Sequence, residues 1–133
     1  MAENLLYVVD THVLIWYFIG SERLDETLKA KVDDVRYRNG RLLVPTIVLS
    51  EALFIADKGR VKFDFGKLYQ IVRDSNEFEI VGFGAEIFEE VMKVEGVIEM
   101  HDRVIVATAR YFGAGVITKD RIILNSGEIE DNS

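Results

Sequence analysis

Four short apolar segments, each separated from the next by room for two helices, constrain this chain more than any other feature. They are LLYVV at 5–9, LLV at 42–44, FEIVG at 78–82 and GVIT at 115–118. The first is an unbroken apolar run rich in β-branched residues, the pattern of a strand buried on both faces. Between them lie stretches of helical periodicity at 11–19, 25–39, 47–58, 64–75, 85–94 and 101–113. The order is therefore β-α-α-β-α-α-β-α-α-β, which predicts a three-layer α/β/α sandwich with a central, mainly parallel sheet. Local signals set the helix ends: Thr11, Asp25, Thr46 and Asp64 as starts, and Gly40, Gly59 and Gly113 as stops, with Pro45 ending the second strand.

The 133 residues suit a single domain, 1–133, with a short polar tail from about 125 (NSGEIEDNS). A chain of this size buries roughly 65–70% of its unfolded surface and needs no staple to fold. It has no cysteine, which excludes thiolate metal sites, disulfides and cysteine nucleophiles and fits a reducing interior. No apolar run approaches the ~18 residues of a membrane span. The start, MAENLLYVVD, lacks the basic region of a signal peptide. The expected setting is cytoplasmic, with no membrane partner.

Charge placement carries the chemistry. In open α/β sheets, ligands bind beyond the carboxyl ends of the strands. Asp10 directly follows the first strand, and Asp120 follows the fourth with only Lys119 between. Glu51, in TIVLSEALFIAD, and Asp102, in HDRVIVATA, fall near helix starts at that same edge. Taken singly, each acid suits a cap, a first turn or a loop. Taken together, four carboxylates at one edge repel each other unless a cation neutralises them. Oxygen donors without thiolate select a hard ion, Mg²⁺ or Mn²⁺. The net charge of −7 argues against broad electrostatic binding of nucleic acid, but not against a site where cations bridge carboxylates to phosphate. His12 and His101 flank these acids and read as surface or supporting residues. No G-x-S-x-G, G-x-x-x-x-G-K-[ST] or G-x-G-x-x-G is present.

In VVDTHVLIW, VLSEAL, HDRVIVATA and VITKDR, carrying Asp10, Glu51, Asp102 and Asp120, the chain resembles PIN domains, the ribonuclease domain of VapC-type toxins. The resemblance covers nearly the whole chain, and departs in having His12 where many relatives have Asn. It implies the same sandwich and a metal-dependent endoribonuclease that cleaves single-stranded or structured RNA, in which the four acids hold one or two Mg²⁺ or Mn²⁺ ions or orient their waters. Thr11 and Thr118 match the family's hydroxyls near the first and last acids. Arg103, Lys119 and Arg121 flank the acids and either hold phosphate or form surface ion pairs. Lys58, Arg60 and Lys62 offer a further RNA contact or a solvated loop. The resemblance also implies a small antitoxin partner and a homodimer, with Trp16, Tyr17 and Phe18 either at such contacts or in the core.

Other readings are a stand-alone RNA-processing nuclease, a non-catalytic scaffold on the same fold, and a receiver-like phosphoacceptor. Thr118–Lys119 suits the last, but the chain has no phosphorylatable Asp ending a central strand.

Overall fold

A computed structural model describes residues 5–97 and 99–124. In chain order the elements are β1 (Leu6–Val9), α1 (Thr11–Ile19), α2 (Glu26–Tyr37), β2 (Arg41–Pro45), α3 (Thr46–Lys58), α4 (Phe65–Asp74), β3 (Phe78–Val81), α5 (Ala85–Lys93), α6 (Met100–Phe112), β4 (Gly115–Ile117) and α7 (Arg121–Leu124). The sheet order is β3-β2-β1-β4, and every pairing is parallel. The expected α/β/α sandwich is thus the observed fold. The polar tail from about 125 lies outside the described residues.

Apolar strands explain the layers. Tyr7, Val8, Val9, Leu42, Leu43, Val44, Val116 and Ile117 are all buried, so helices cover both faces. Parallel crossovers are right-handed. Moving from β1 to β2 to β3 puts α1–α4 on one face, and the return to β4 puts α5 and α6 on the other. The contacts agree: α2 lies on β2 and β4, α4 on β3, and α1 and α4 on α3, while α6 packs on α5, β1 and β4. The chain runs outward from β1 through β2 to β3, then returns past them to β4 on the other side of β1. That reversal makes the crevice between β1 and β4 the place where such sheets bind ligands.

Most expected helix ends hold. Asp25 and Asp64 cap α2 and α4 through their side chains, and Gly59 and Gly113 take the left-handed conformation, φ 72° and 64°, that ends α3 and α6. Three differ. Asp10, not Thr11, caps α1. Pro45 ends β2 from within, paired with Val81, and stands before α3 without a side-chain cap bond, so Thr46 is a helical residue. Helix α2 ends at Tyr37, and Gly40 serves as a point of close contact instead. A Cβ there would lie 2.6 Å from the Leu5 carbonyl oxygen and 2.7 Å from Val35 Cγ1. Backbone and core cannot both yield, so Gly40→Ala is expected to lose about 1–3 kcal/mol in urea unfolding.

Candidate active site

The first acid is placed by the strand ladder. Asp10 N–H donates to Ile117 O at 3.0 Å, extending the β1–β4 pairing one residue past β1. Since Val9 pairs with Ile117, Asp10 and Thr118 stand side by side at the carboxyl edge. Thr118 Oγ1 donates to Asp10 Oδ2 at 2.6 Å and accepts from Asp120 N–H at 2.9 Å. Asp10 Oδ1 takes Thr11 N–H at 2.7 Å as the cap of α1. Thr11, in turn, donates its hydroxyl to Glu51 Oε1 at 2.7 Å, tying α1 to α3. Both threonines are buried. Their place is beneath the acids, which they hold.

Asp102 enters from the other face of the sheet. Glu99 caps α6, accepting Asp102 N–H at 3.0 Å, so Asp102 sits in the first turn without being the cap. Its carboxyl shares a hydrogen bond with that of Asp120. Asp10, Glu51, Asp102 and Asp120 line one cavity of about 470 Å³, together with His12, Val13, Trp16, Arg23, Glu99, His101 and Lys119. The four acids separated by up to 110 positions in the chain therefore meet, as expected.

One of the expected phosphate contacts, Arg103, does not line it. Arg103 turns away, and its Nη2 donates to the carbonyls of Val91 and Val94 at 2.8 and 3.1 Å, closing the end of α5. This structural duty replaces the phosphate contact. The Arg121 side chain lies outside the described residues. Lys58, Arg60 and Lys62 are exposed on and after the end of α3, away from the cavity lining. Of those cations whose side chains are described, Lys119 alone lines it. Glu99 and Arg23 line it without having been singled out. Glu99 had a readable signal, an acid three residues ahead of Asp102; Arg23, in a loop, had none.

Negative charge is in excess among the described side chains of the cavity, with the five acids Asp10, Glu51, Glu99, Asp102 and Asp120 against Lys119 and Arg23. Burial pushes the Asp10 carboxyl above its ordinary range, against the bonds from Thr118 and Thr11 N–H, and the Glu51 charge adds to the rise. Burial, the hydrogen bond to Asp120, and the charges of Asp120, Glu99 and Asp10 push Asp102 up to about 7. Its carboxyl keeps a proton near neutrality because a second carboxylate lies against it. His101 moves upward too, chiefly through its 2.9 Å bond to Glu99, with the Glu51 and Asp102 charges adding.

The donor set matches a hard divalent cation in kind: carboxylate oxygens from four elements' edges and no thiolate. As the side chains stand, no three Asp, Glu or His groups among the described residues close on one point. Hydroxyls, an amide and a shared proton take the oxygens instead.

A family model for the PIN domain matches residues 7–127. The chain belongs to the PIN domain family. Among curated proteins no sequence relative matches. Among solved structures the chain is similar to VapBC2 from Rickettsia felis, bound to a DNA fragment from their promoter. That match has 15% identity and a TM-score of 0.69, and covers 93% of this chain and 95% of the other. It is also similar to Mycobacterium tuberculosis VapC20, a sarcin-ricin loop cleaving toxin. There the identity is 16%, the TM-score 0.68, and the cover 94% and 99%. At such identities the likeness shows a shared fold, the PIN sandwich. Among the described residues no helix is long and apolar enough to cross a membrane.

Proposed function

We propose that this PIN domain is a Mg²⁺- or Mn²⁺-dependent endoribonuclease and the toxin of a toxin–antitoxin pair. The carrying observation is the convergence of Asp10, Glu51, Asp102 and Asp120 on one cavity at the sheet's switch point. Asp10 and Asp102 would hold the cation directly, with Glu51 and Asp120 as further ligands or as acceptors for its waters. Bound there, one or two ions supply a water of lowered pKa and neutralise charge on the phosphate. The chain's own groups do the rest. Thr118 and Thr11 fix the Asp10 and Glu51 carboxylates through hydrogen bonds of 2.6 and 2.7 Å. Lys119 supplies the cation that meets a backbone phosphate at the cavity rim.

This account fits an acidic protein. With a net charge of −7 the surface attracts RNA little, and the ions provide the local positive charge. RNA binding and cleavage measured in EDTA and after adding Mg²⁺ or Mn²⁺ test it. Cleavage is expected only with metal, and binding should weaken sharply without it; equal tight binding in both would sink the account.

Support for the partners comes from the fold's neighbours and from apolar surface. Leu53 and Phe54 on α3 and Phe88 and Met92 on α5 are exposed, and suit a homodimer or antitoxin contact. An adjacent gene for a short DNA-binding protein would separate a toxin from a stand-alone nuclease, and light scattering gives the oligomeric state. Cells growing normally while expressing the active chain alone would argue against a toxin.

Thr118→Val removes both the donor to Asp10 and the acceptor for Asp120 N–H. Losses of such supporting bonds cost about 10–100-fold in metal affinity or activity. Single-turnover cleavage should show that loss while circular dichroism stays unchanged.

A further inference from the structure

The chain's sole tryptophan, Trp16, stands in the wall of the acid cavity. One turn before it on α1 is His12, and residues four apart share a helix face. The two rings lie 5.4 Å apart between centroids, tilted by 52°. Lys119 Nζ stands over the indole at 4.8 Å from its centroid. Trp16 packs on the core from below but stays half-buried, and His12 is exposed. The exposed part of its ring faces the cavity under a flexible ammonium, which a ligand can displace at little cost.

A second cavity, of about 540 Å³, meets the first at Trp16. It is lined by Gly20, Ser21 and Leu24, by the acids Glu22, Asp25 and Glu26, and by Lys29. Three acids against one lysine disfavour a backbone phosphate but not a neutral base. On the other side lie the four metal-type acids and Lys119, where a phosphate fits. The geometry therefore separates the two halves of a nucleotide: phosphate toward Lys119 and the acids, base toward the indole.

From this we infer that Trp16 and His12 form a stacking platform for one unpaired nucleobase beside the cleaved phosphodiester. When the base arrives, it takes the indole face, and the Lys119 ammonium moves from the ring to the phosphate. The inference rests on the ribonuclease reading of the cavity and deepens it by naming the side chains that position the nucleotide beside the cut. A base can stack here only if it is already splayed from its neighbours, as it is in the single-stranded or structured RNA that the family resemblance implies. Stacking tolerates every base, since each has a π-face.

The test uses a loop RNA that the wild-type chain cuts in Mg²⁺, with and without an abasic nucleotide next to the cut. Alanine replacement of a stacking aromatic costs roughly ten- to hundredfold in binding. Trp16→Ala should raise KM by about that factor with kcat changed less, and Trp16→Phe should restore most of it. The abasic RNA should cost the wild type the same factor, and cost Trp16→Ala nothing further. That arm holds even if Trp16→Ala fails to fold. In Asp10→Asn with Mg²⁺ raised to saturate the weakened site, expected to bind without cutting, loop RNA should quench the single tryptophan's fluorescence, and a duplex of the same sequence should not. Wild-type KM in Trp16→Ala, or no penalty for the abasic RNA, overturns the platform while leaving the nuclease intact. A wild-type chain that cuts no RNA in Mg²⁺ or Mn²⁺ overturns both.

Discussion

Asp10→Asn should cut RNA about 10³-fold more slowly than the wild type while melting, without metal, at the same temperature or higher. A cation and its ligand supply several kcal/mol of charge stabilisation in the transition state, and each 1.36 kcal/mol is tenfold in rate. Losing the ligand charge removes most of that. The fold loses little, because Asn caps helices as well as Asp does. Its amide oxygen still accepts Thr11 N–H, the bond that starts α1 at 2.7 Å. On the other side the Asn amide donates, and the Thr118 hydroxyl turns from donor to acceptor. Burial already pushes the Asp10 carboxyl upward, so its ionised form is a cost to the metal-free protein that Asn avoids. Added Mg²⁺ reverses the ranking. An ion at 100 times its dissociation constant stabilises the wild type by about 2.7 kcal/mol, and the variant gains less. Cleavage at the wild-type rate would remove Asp10 from the chemistry. A steep loss of metal-free stability would make it a structural cap instead.

How much of this was legible beforehand depends on the range of the interaction behind each feature. Strands and helices follow from periodicity within a dozen residues, so the layer order was readable from LLYVV, LLV, FEIVG and GVIT. Gly59 and Gly113 were readable stops because only the left-handed conformation they favour ends those helices. The meeting of Asp10 with Asp120 followed from the rule for strand ends once β1 and β4 were taken as neighbours. Caps were harder. Asp10 and Thr11 are both good caps, and Asp102 is a better cap type than Glu99, which nonetheless caps α6. The choice depends on the backbone angle at which the chain leaves the preceding segment. Arg103 was misjudged for a longer-range reason. Beside an acid at a helix start it resembles a phosphate ligand, but the last carbonyls of α5 lie within its reach, and they take the guanidinium. Trp16 read as core or interface for the same reason: nothing local to α1 shows that Lys119, from beyond β4, will lie on its ring.

Metal affinity should rise about tenfold per pH unit between about pH 5.5 and 7 and level off above. Asp102, held at about 7 by burial and by Asp120, carries a proton through that range. A cation needs the carboxylate, so binding expels the proton, and below the pKa each unit of pH costs one power of ten. The metal-free protein runs the other way. A folded pKa raised from the usual 3.8 contributes stability that is fully present below about 3.8 and lost as pH rises through about 7. His101, also raised, adds in the same direction: its contribution is full below the ordinary 6.5 and fades as pH passes its folded value. The metal-free chain should therefore melt at a lower temperature at pH 8 than at pH 6, and Mg²⁺ should raise the melting temperature more at pH 8. Calorimetric titration of Mg²⁺ at pH 6, in two buffers of different ionisation enthalpy, should show close to one proton released per ion. Asp102→Asn should abolish that release and leave only the shallower fall in metal-free stability that His101 contributes. Proton release that persists in the variant would assign the proton to another group. An affinity constant from pH 5.5 to 8 would mean that the Asp102–Asp120 pair does not hold the ion.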